Sequence, residues 1–449
     1  MPPFARRSGV TVSRRTFTRL GAAAAGCGGA GFFATHGAAA EPAGSAADPL
    51  NLAIVGLGGQ GAANLRKLEG HPDVRIVALC DVDDTRAGKA YEQHPGATRF
   101  TDFRRMFDTL DKRIDAVVIS TPDHTHFHPA WWALERGKHL YLEKPLAHEV
   151  EEVRRLTDAA RAKGLATQLG SQRHALKGLR EGVEIVKSGL LGTITEVHSW
   201  IASPRGLPEP LAAPQPVPAG LDWDLWLGPV AERPYTKGLA PYDWRFWWEF
   251  GTGETGNWGC HVLDIPFWAL DLGHPVHVSG SGPPPDPQRT PKSLASRLDF
   301  PARVAGGVSW PAVSLHWYQG LPPILADKGI GAAMAKGKNT LFIGTKGMLI
   351  CGFEAWKLLP DEAFAGFTGP EQTIPKSPGF HREWIDACRG GPPATCNFAY
   401  TGPLAESVLL ANIAYRVQGG FDWDATGMKS NRDDVNAMLR RAYRRGWEV

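Results

Sequence analysis

Residues 51–61, NLAIVGLGGQG, constrain the fold more than any other stretch of the chain. A short apolar run (Leu52, Ala53, Ile54, Val55) stops at glycines 56, 58, 59 and 61, and a helix-like segment carrying Ala62, Ala63, Leu65 and Leu68 follows. Gly56, Gly58 and Gly61 fit G-x-G-x-x-G between the strand and the helix that the motif requires. The first glycine serves a tight turn, the second admits a pyrophosphate close to the backbone, and the third lets helix and sheet pack closely. Gly59 and Gln60 complete the turn, and the helix start offers unpaired N–H groups to phosphate. Glycine-rich turns also occur in loops that bind nothing, so the motif needs support. Residues 74–80, VRIVALC, supply it: they read as a second buried strand and end on Asp81. An acidic residue about 20 positions after the last glycine is where a dinucleotide fold holds the adenosine ribose. Its carboxylate repels a 2′-phosphate, so Asp81 favours NAD over NADP, and Asp83 and Asp84 add to the negative field.

Helix and strand then alternate. Residues 85–93 and 103–110 have helical spacing, with a short strand at 98–100 between them. Residues 114–120 form another buried strand, ending at Thr121-Pro122-Asp123-His124. A helix over 131–136 leads to a strand at 139–143, which runs into Lys144-Pro145. This alternation predicts a parallel doubly wound sheet, in which ligands sit beyond the carboxyl ends of the strands. Gly56, Asp81, residues 121–124 and residues 143–145 all fall at such ends.

The glycine turn, the strand ending in Asp, then S-T-P-D-H and Glu143-Lys144-Pro145 resemble the Gfo/Idh/MocA oxidoreductase family over nearly the whole chain after residue 50. The resemblance implies an N-terminal Rossmann domain (50–170) and a C-terminal α+β domain (171–449) with a large open, mostly antiparallel sheet. It implies that Thr121, Pro122, His124, Glu143, Lys144 and Pro145 help bind the cofactor. It also implies that Lys144 reaches both the nicotinamide ribose and the substrate hydroxyl. An ammonium at a strand end is suited to that work, since it can stabilise an alkoxide or relay a proton.

The family's second motif has an Asp four residues before a His. In residues 251–264, GTGETGNWGCHVLD, the His is His261, Asp264 lies one turn on, and Asn257 replaces the Asp. The resemblance makes Lys144, His261 and Asn257 the catalytic group. Imidazole titrates near neutrality and can exchange a proton; Asn257 can orient substrate but takes neither proton nor charge. Gln172 and His174 fall where the family often lines its substrate cleft, although His174 fits a helix-entry or core role equally. Trp258 and Asp264 complete the expected substrate contacts. Residues 203–220 carry six prolines and read as a loop, a lid or an oligomer arm. Seven of the sixteen tryptophans follow between positions 223 and 268. They suit the apolar faces of sugar rings, or equally a loop-rich region that compensates with large side chains. Strand-like runs at 276–279, 293–300, 304–310, 313–316, 340–344 and 348–351 predict the second sheet. Helices are expected at 381–388 and 404–417, and residues 422–431 resemble the family's closing segment.

Residues 1–40 read as a leader. Ser13-Arg14-Arg15-Thr16-Phe17 precedes an Ala/Gly-rich run ending in Ala38-Ala39-Ala40, a basic region, a weakly apolar region and a small-residue end. The paired arginines resemble a twin-arginine (Tat) export signal, which implies a periplasmic protein. The segment holds five arginines and no acid, so a net charge of +3 becomes −2 without it. No basic stripe argues for nucleic acid, and the run is too short and glycine-rich for a membrane span. Five cysteines outside the leader have no C-x-x-C spacing, and His124, His126 and His128 lack a partner set, so neither a zinc ribbon nor another metal site is expected. Residues 331–339 imitate a phosphate loop at the wrong spacing.

The expectation is an exported oxidoreductase that uses NAD on a secondary hydroxyl of a sugar or glycoside, with the cofactor retained and recycled. It would assemble as a dimer or tetramer through the second sheet. The alternatives are a glycoside hydrolase with catalytic NAD and no net redox change, and a non-catalytic NAD-binding sensor.

Overall fold

The structure, a computed structural model, describes residues 48–449; the expected leader lies outside them. The first sheet has six strands, β1 (Leu50–Val55), β2 (Val74–Cys80), β3 (Thr98–Phe100), β4 (Ala116–Ile119), β5 (His139–Leu142) and β6 (Thr167–Leu169), in the order β3-β2-β1-β4-β5-β6. Every pairing is parallel. The run of apolar residues in β1 follows from burial of both faces: Leu52 and Ile54 enter one core, while Ala53 and Val55 enter the other. Helices α1 (Gln60–Leu68) and α2 (Asp84–Gln93) cover the first face, and α3 (Phe103–Leu110) and α4 (Phe127–Glu135) the second. The strand order reverses between β1 and β4, which opens the crevice where such sheets bind ligands.

Helix α4 begins earlier than its sequence pattern suggests. His128 is drawn into it and His126 stands at its start, both buried, His126 bonding Pro145 O and Thr121 O and His128 bonding Trp447 O at 2.9 Å. The alternating histidines therefore serve packing.

After helices α5 (Val150–Lys163) and α6 (Lys177–Lys187), the chain builds a second, mixed sheet of nine strands. Its strands are β7 (Ile194–Ile201), β8 (His277–Ser281), β9 (Leu294–Phe300), β12 (Val313–Gln319), β13 (Thr340–Gly344), β14 (Gly347–Cys351), β15 (Trp356–Leu359), β16 (Gly420–Asp424) and β17 (Lys429–Ser430). The order is β15-β14-β13-β7-β12-β9-β8-β16-β17, parallel between β7 and β12 and antiparallel elsewhere. The run expected at 304–310 is a separate hairpin, β10 (Arg303–Ala305) and β11 (Val308–Trp310), turning at Gly306 and Gly307 with φ of 57° and 77°. Helix α7 (Phe380–Cys388) returns to the first sheet and packs with Leu52, Ile54 and Tyr141. Helix α8 (Phe398–Arg416) includes Pro403, which the sequence reading placed just outside it. Burial of residues along its whole length, against α5, β8 and β9, outweighs the lost N–H.

Among the described residues no helix is long and apolar enough to cross a membrane. The five cysteines are free and buried.

Candidate active site

At the end of β1 the chain turns at Gly56 with φ of 87°, and a Cβ there would lie 2.6 Å from Ser120 O. A Cβ on Gly61 would lie 2.0 Å from Gly56 O, so α1 packs against the turn with no room for a side chain. The turn opens into a cavity of about 430 Å³. Gly56, Gly58, Gly59, Gln60, Asp81, Thr121, Pro122, Glu143, Lys144, Gln172, Asn257 and His261 all line it.

Asp81 accepts hydrogen bonds from Leu57 N at 2.6 Å and Asp83 N at 3.0 Å. Burial raises its proton affinity, and those two bonds oppose the rise. Asp83 has its own local task, capping α2 through Thr85 N and Arg86 N at 3.0 and 3.2 Å. The Thr121 hydroxyl is buried at the cavity without a partner, as expected of a group that completes its bonding with a ligand. Glycines shaped for close approach, an acid at the next strand end and an unsatisfied hydroxyl together fit a dinucleotide. Gly61, His124 and Pro145 stand behind this surface. His124 is fully buried and its Nε2 bonds Trp226 O at 2.8 Å, so it packs rather than faces the cofactor cleft.

At the other end of the cavity, Lys144 follows β5 and donates from Nζ to Asn257 Oδ1 at 2.8 Å. Asn257 Nδ2 donates to Glu254 Oε2 at 2.9 Å, and fully buried Glu254 pairs with the Arg205 guanidinium. The amide orientation is set from both sides, because ammonium only donates and carboxylate only accepts. Asn257 and His261 lie on a helix that is wound as a π-turn over Thr255–Gly259, a local irregularity frequent at functional sites. Both side chains line the cavity.

Burial, then the nearby Arg245 charge, lowers the proton affinity of Lys144 below the ordinary lysine value. Burial, then the charges of Lys144 and Arg173, holds the His261 imidazole well below its usual value, and its Nδ1 has no partner. Glu143 accepts from Asn64 Nδ2 at 2.9 Å and Gln172 Nε2 at 2.7 Å, which locks the base of the strand ends beside Lys144.

The remaining expected substrate contacts are not at the cavity. His174 and Asp264 are each 1% exposed and bond one another at 2.9 Å, with Tyr400 Oη donating to Asp264. Trp258 lies under the Arg173 guanidinium at 5.0 Å. Helix packing turns these three away from the cleft. Of the tryptophan tract, Trp226 and Trp244 line the cavity, while Trp223, Trp226, Trp244 and Trp247 together form a small core of their own.

Sequence reading missed Glu254, Arg205, Arg245, Tyr242 and Trp447, all at or directly behind the cavity. Signals existed for two of them: Glu254 is a charge set among the glycines of residues 251–259, and Arg245 is embedded among Trp244, Phe246 and Trp247. Trp447 reaches the cavity from the far end of the chain, which no local pattern marks.

A family model described as an oxidoreductase family with an NAD-binding Rossmann fold matches residues 50–171. The same family's C-terminal alpha/beta domain matches residues 180–289. Together they span more than half of the chain. An inositol 2-dehydrogenase of Salmonella paratyphi B is 31% identical over 163 residues, which is 36% of this chain and 48% of that protein. A glycosyl hydrolase family 109 protein of Solibacter usitatus is 32% identical over 206 residues, 41% of this chain and 44% of that protein. The chain thus spans about half the length of the curated relatives it matches. Among solved structures, the WlbA dehydrogenase of Bordetella pertussis, in complex with NADH and UDP-GlcNAcA, superposes with a TM-score of 0.59 at 16% identity, covering 84% of this chain and 99% of that one. An inositol dehydrogenase homologue from Azotobacter vinelandii, in complex with NADH and myo-inositol, superposes at 0.53 and 17% identity, covering 84% and 98%. At these identities the likeness concerns the fold.

Proposed function

Because the chain belongs to the Gfo/Idh/MocA oxidoreductase family, we propose that it is an exported enzyme using NAD to oxidise, reversibly, a secondary hydroxyl of a sugar or glycoside. The observation that carries this reading is the Lys144–Asn257 bond beside His261, in one cavity with the glycine turn and Asp81. Relatives named for inositol and nucleotide-sugar oxidation support the substrate class.

Oxidation of a carbinol removes one hydride and one proton. Bound NAD supplies the hydride acceptor. Lys144 donates a hydrogen bond to the substrate oxygen and stabilises the negative charge that develops there. Asn257, backed by Glu254 and Arg205, holds the ammonium in direction. The hydroxyl proton passes to neutral His261 or out through Lys144, whose affinity for its own proton the Arg245 charge reduces. Trp226, Tyr242 and Trp244 give the cavity an aromatic wall suited to the C–H faces of a sugar ring.

The twin-arginine leader supports export to the periplasm after folding. A compartment without a free NAD pool favours a cofactor that stays bound and is recycled between turnovers. Assembly as a dimer or tetramer through the second sheet belongs to the same reading.

The relative named as a glycosyl hydrolase favours a second reading, glycoside cleavage through a transient ketone with no net redox change. One experiment separates the two. Purified protein is denatured to identify released dinucleotide, and native protein is incubated with 4-nitrophenyl glycosides and with free sugars. Bound NAD with NADH absorbance rising on added sugars supports the oxidoreductase. Nitrophenol release without net NADH supports the hydrolase, and failure to bind any dinucleotide overturns both.

A further inference from the structure

The second sheet leaves part of one face uncovered. Residues 320–338 fold over the end carrying Trp200, Leu341 and Ile350, while Glu196, His316, Arg297 and Asp299 stay partly exposed beside it. On this face the β7–β12 register pairs His198 directly with His316. Glu196 lies two residues before His198 and so shares its face.

The two imidazoles stack with centroids 4.6 Å apart and planes within 12°. The Nε2 atoms of His198 and His316 lie 3.0 and 3.5 Å from the same Glu196 oxygen, and the three donor atoms all lie within 4.8 Å of one another. Four ligands around a zinc ion at about 2.0–2.1 Å stand roughly 3.3 Å apart, so the two carboxylate–imidazole separations are already those of a coordination shell. The His198 side chain is only 4% exposed, and its Nε2 faces the Glu196 carboxylate 3.0 Å away.

We propose that Glu196, His198 and His316 form a binding site for a zinc-type divalent cation on the open face of the second sheet, with water in the fourth position. Two imidazoles and one carboxylate with an open fourth position are an established donor set for that ion. The Tyr318 hydroxyl lies 3.2 Å from His198 Nδ1 and fixes the ring from behind, as outer partners of metal-bound histidines do. Of the charges facing the site, Arg297 is paired with Asp299 at 2.8 Å, which leaves Lys328 as the opposing cation. The three ligands are separate from the residues of the active cavity.

The other group with metal-ligand composition, His174, Asp264 and Cys396, serves as the control. There the carboxylate is already taken by His174 and Tyr400, and burial pushes the Cys396 thiol far up.

The test is titration of the full, chelator-stripped chain with Zn²⁺ against a chromophoric competitor, and with Co²⁺ followed by visible absorbance. Wild type is expected to take one ion per chain and to show the bands of a low-coordinate Co²⁺ site. Glu196→Gln and His316→Gln should each bind at least about 10-fold more weakly, and Tyr318→Phe about 10-fold more weakly. Cys396→Ser should bind as wild type. Glu196 and His316 are partly exposed, so these variants are checked for an unchanged melting temperature. No uptake by wild type, wild-type affinity in both ligand variants, or loss only in Cys396→Ser overturns the assignment.

Discussion

Asn257 stands where the family pattern has aspartate, and Glu254 is the physical reason it can. The negative charge sits three residues further back, 2.9 Å from the amide and neutralised by Arg205. A carboxylate at 257 would face Glu254 directly and would hold the Lys144 proton more tightly, since a nearby opposite charge favours the charged form. For Asn257→Asp we expect the rate-limiting deprotonated fraction at pH 7 to fall about tenfold for each pK unit gained. The rising limb of the kcat/KM profile should move to higher pH, and an unmoved limb would count against Lys144 as the titrating group. Lys144→Ala removes the group altogether. Turnover should drop by roughly 10²–10⁴ while NAD stays bound, because the glycine turn and Asp81 are untouched; fluorescence titration with NADH checks the second half.

At the scale of elements, strand ends set the site and one helix start holds its geometry. Gly61→Ala would drive a Cβ into the Gly56 carbonyl, backbone that cannot swing aside, with the Ser120 Cβ 3.2 Å away. We expect a loss of about 1–3 kcal/mol in chemical denaturation, together with loss of bound dinucleotide. Gly88 in α2 has open space around its Cβ position, so Gly88→Ala should instead gain up to about 1 kcal/mol from helix propensity. Opposite signs from the same substitution would tie the cost at position 61 to the turn itself. Strands β1, β2, β4 and β5 of the first sheet were legible as apolar runs because both of their faces are buried. Helix α4 was shortened in the reading because its first turn holds histidines that only tertiary partners bury. The strands β15, β16 and β17 escaped it because each is only two to five residues long, and β16 in addition pairs with the distant β8.

The whole molecule also buries neutral histidines that do not line its cavity. His128 is lowered to about 3 and His381 to about 4, both chiefly by burial. In the unfolded chain each titrates near 6.5. Between those values the unfolded state binds more protons, so the stability contribution is present above about pH 6.5 and is lost as pH falls. At pH 5 the loss is about 2 kcal/mol for each. Melting temperature should therefore decline steadily from pH 7 to pH 4, and His381→Gln should flatten part of that decline.

The sequence by itself determined the nucleotide half of this protein. Glycines that no other residue can replace, an acid at the next strand end and a lysine after β5 are local requirements of a parallel sheet, and each can be read from its own neighbourhood. Only the tertiary structure decided what faces the cleft in the second half. Trp447 and Arg245 converge there from segments about 200 residues apart, whereas His174 and Asp264 turn into the core and Trp258 packs half-buried against it under Arg173. A side chain's position on an irregular helix depends on which face finds apolar partners, and those partners come from other parts of the chain.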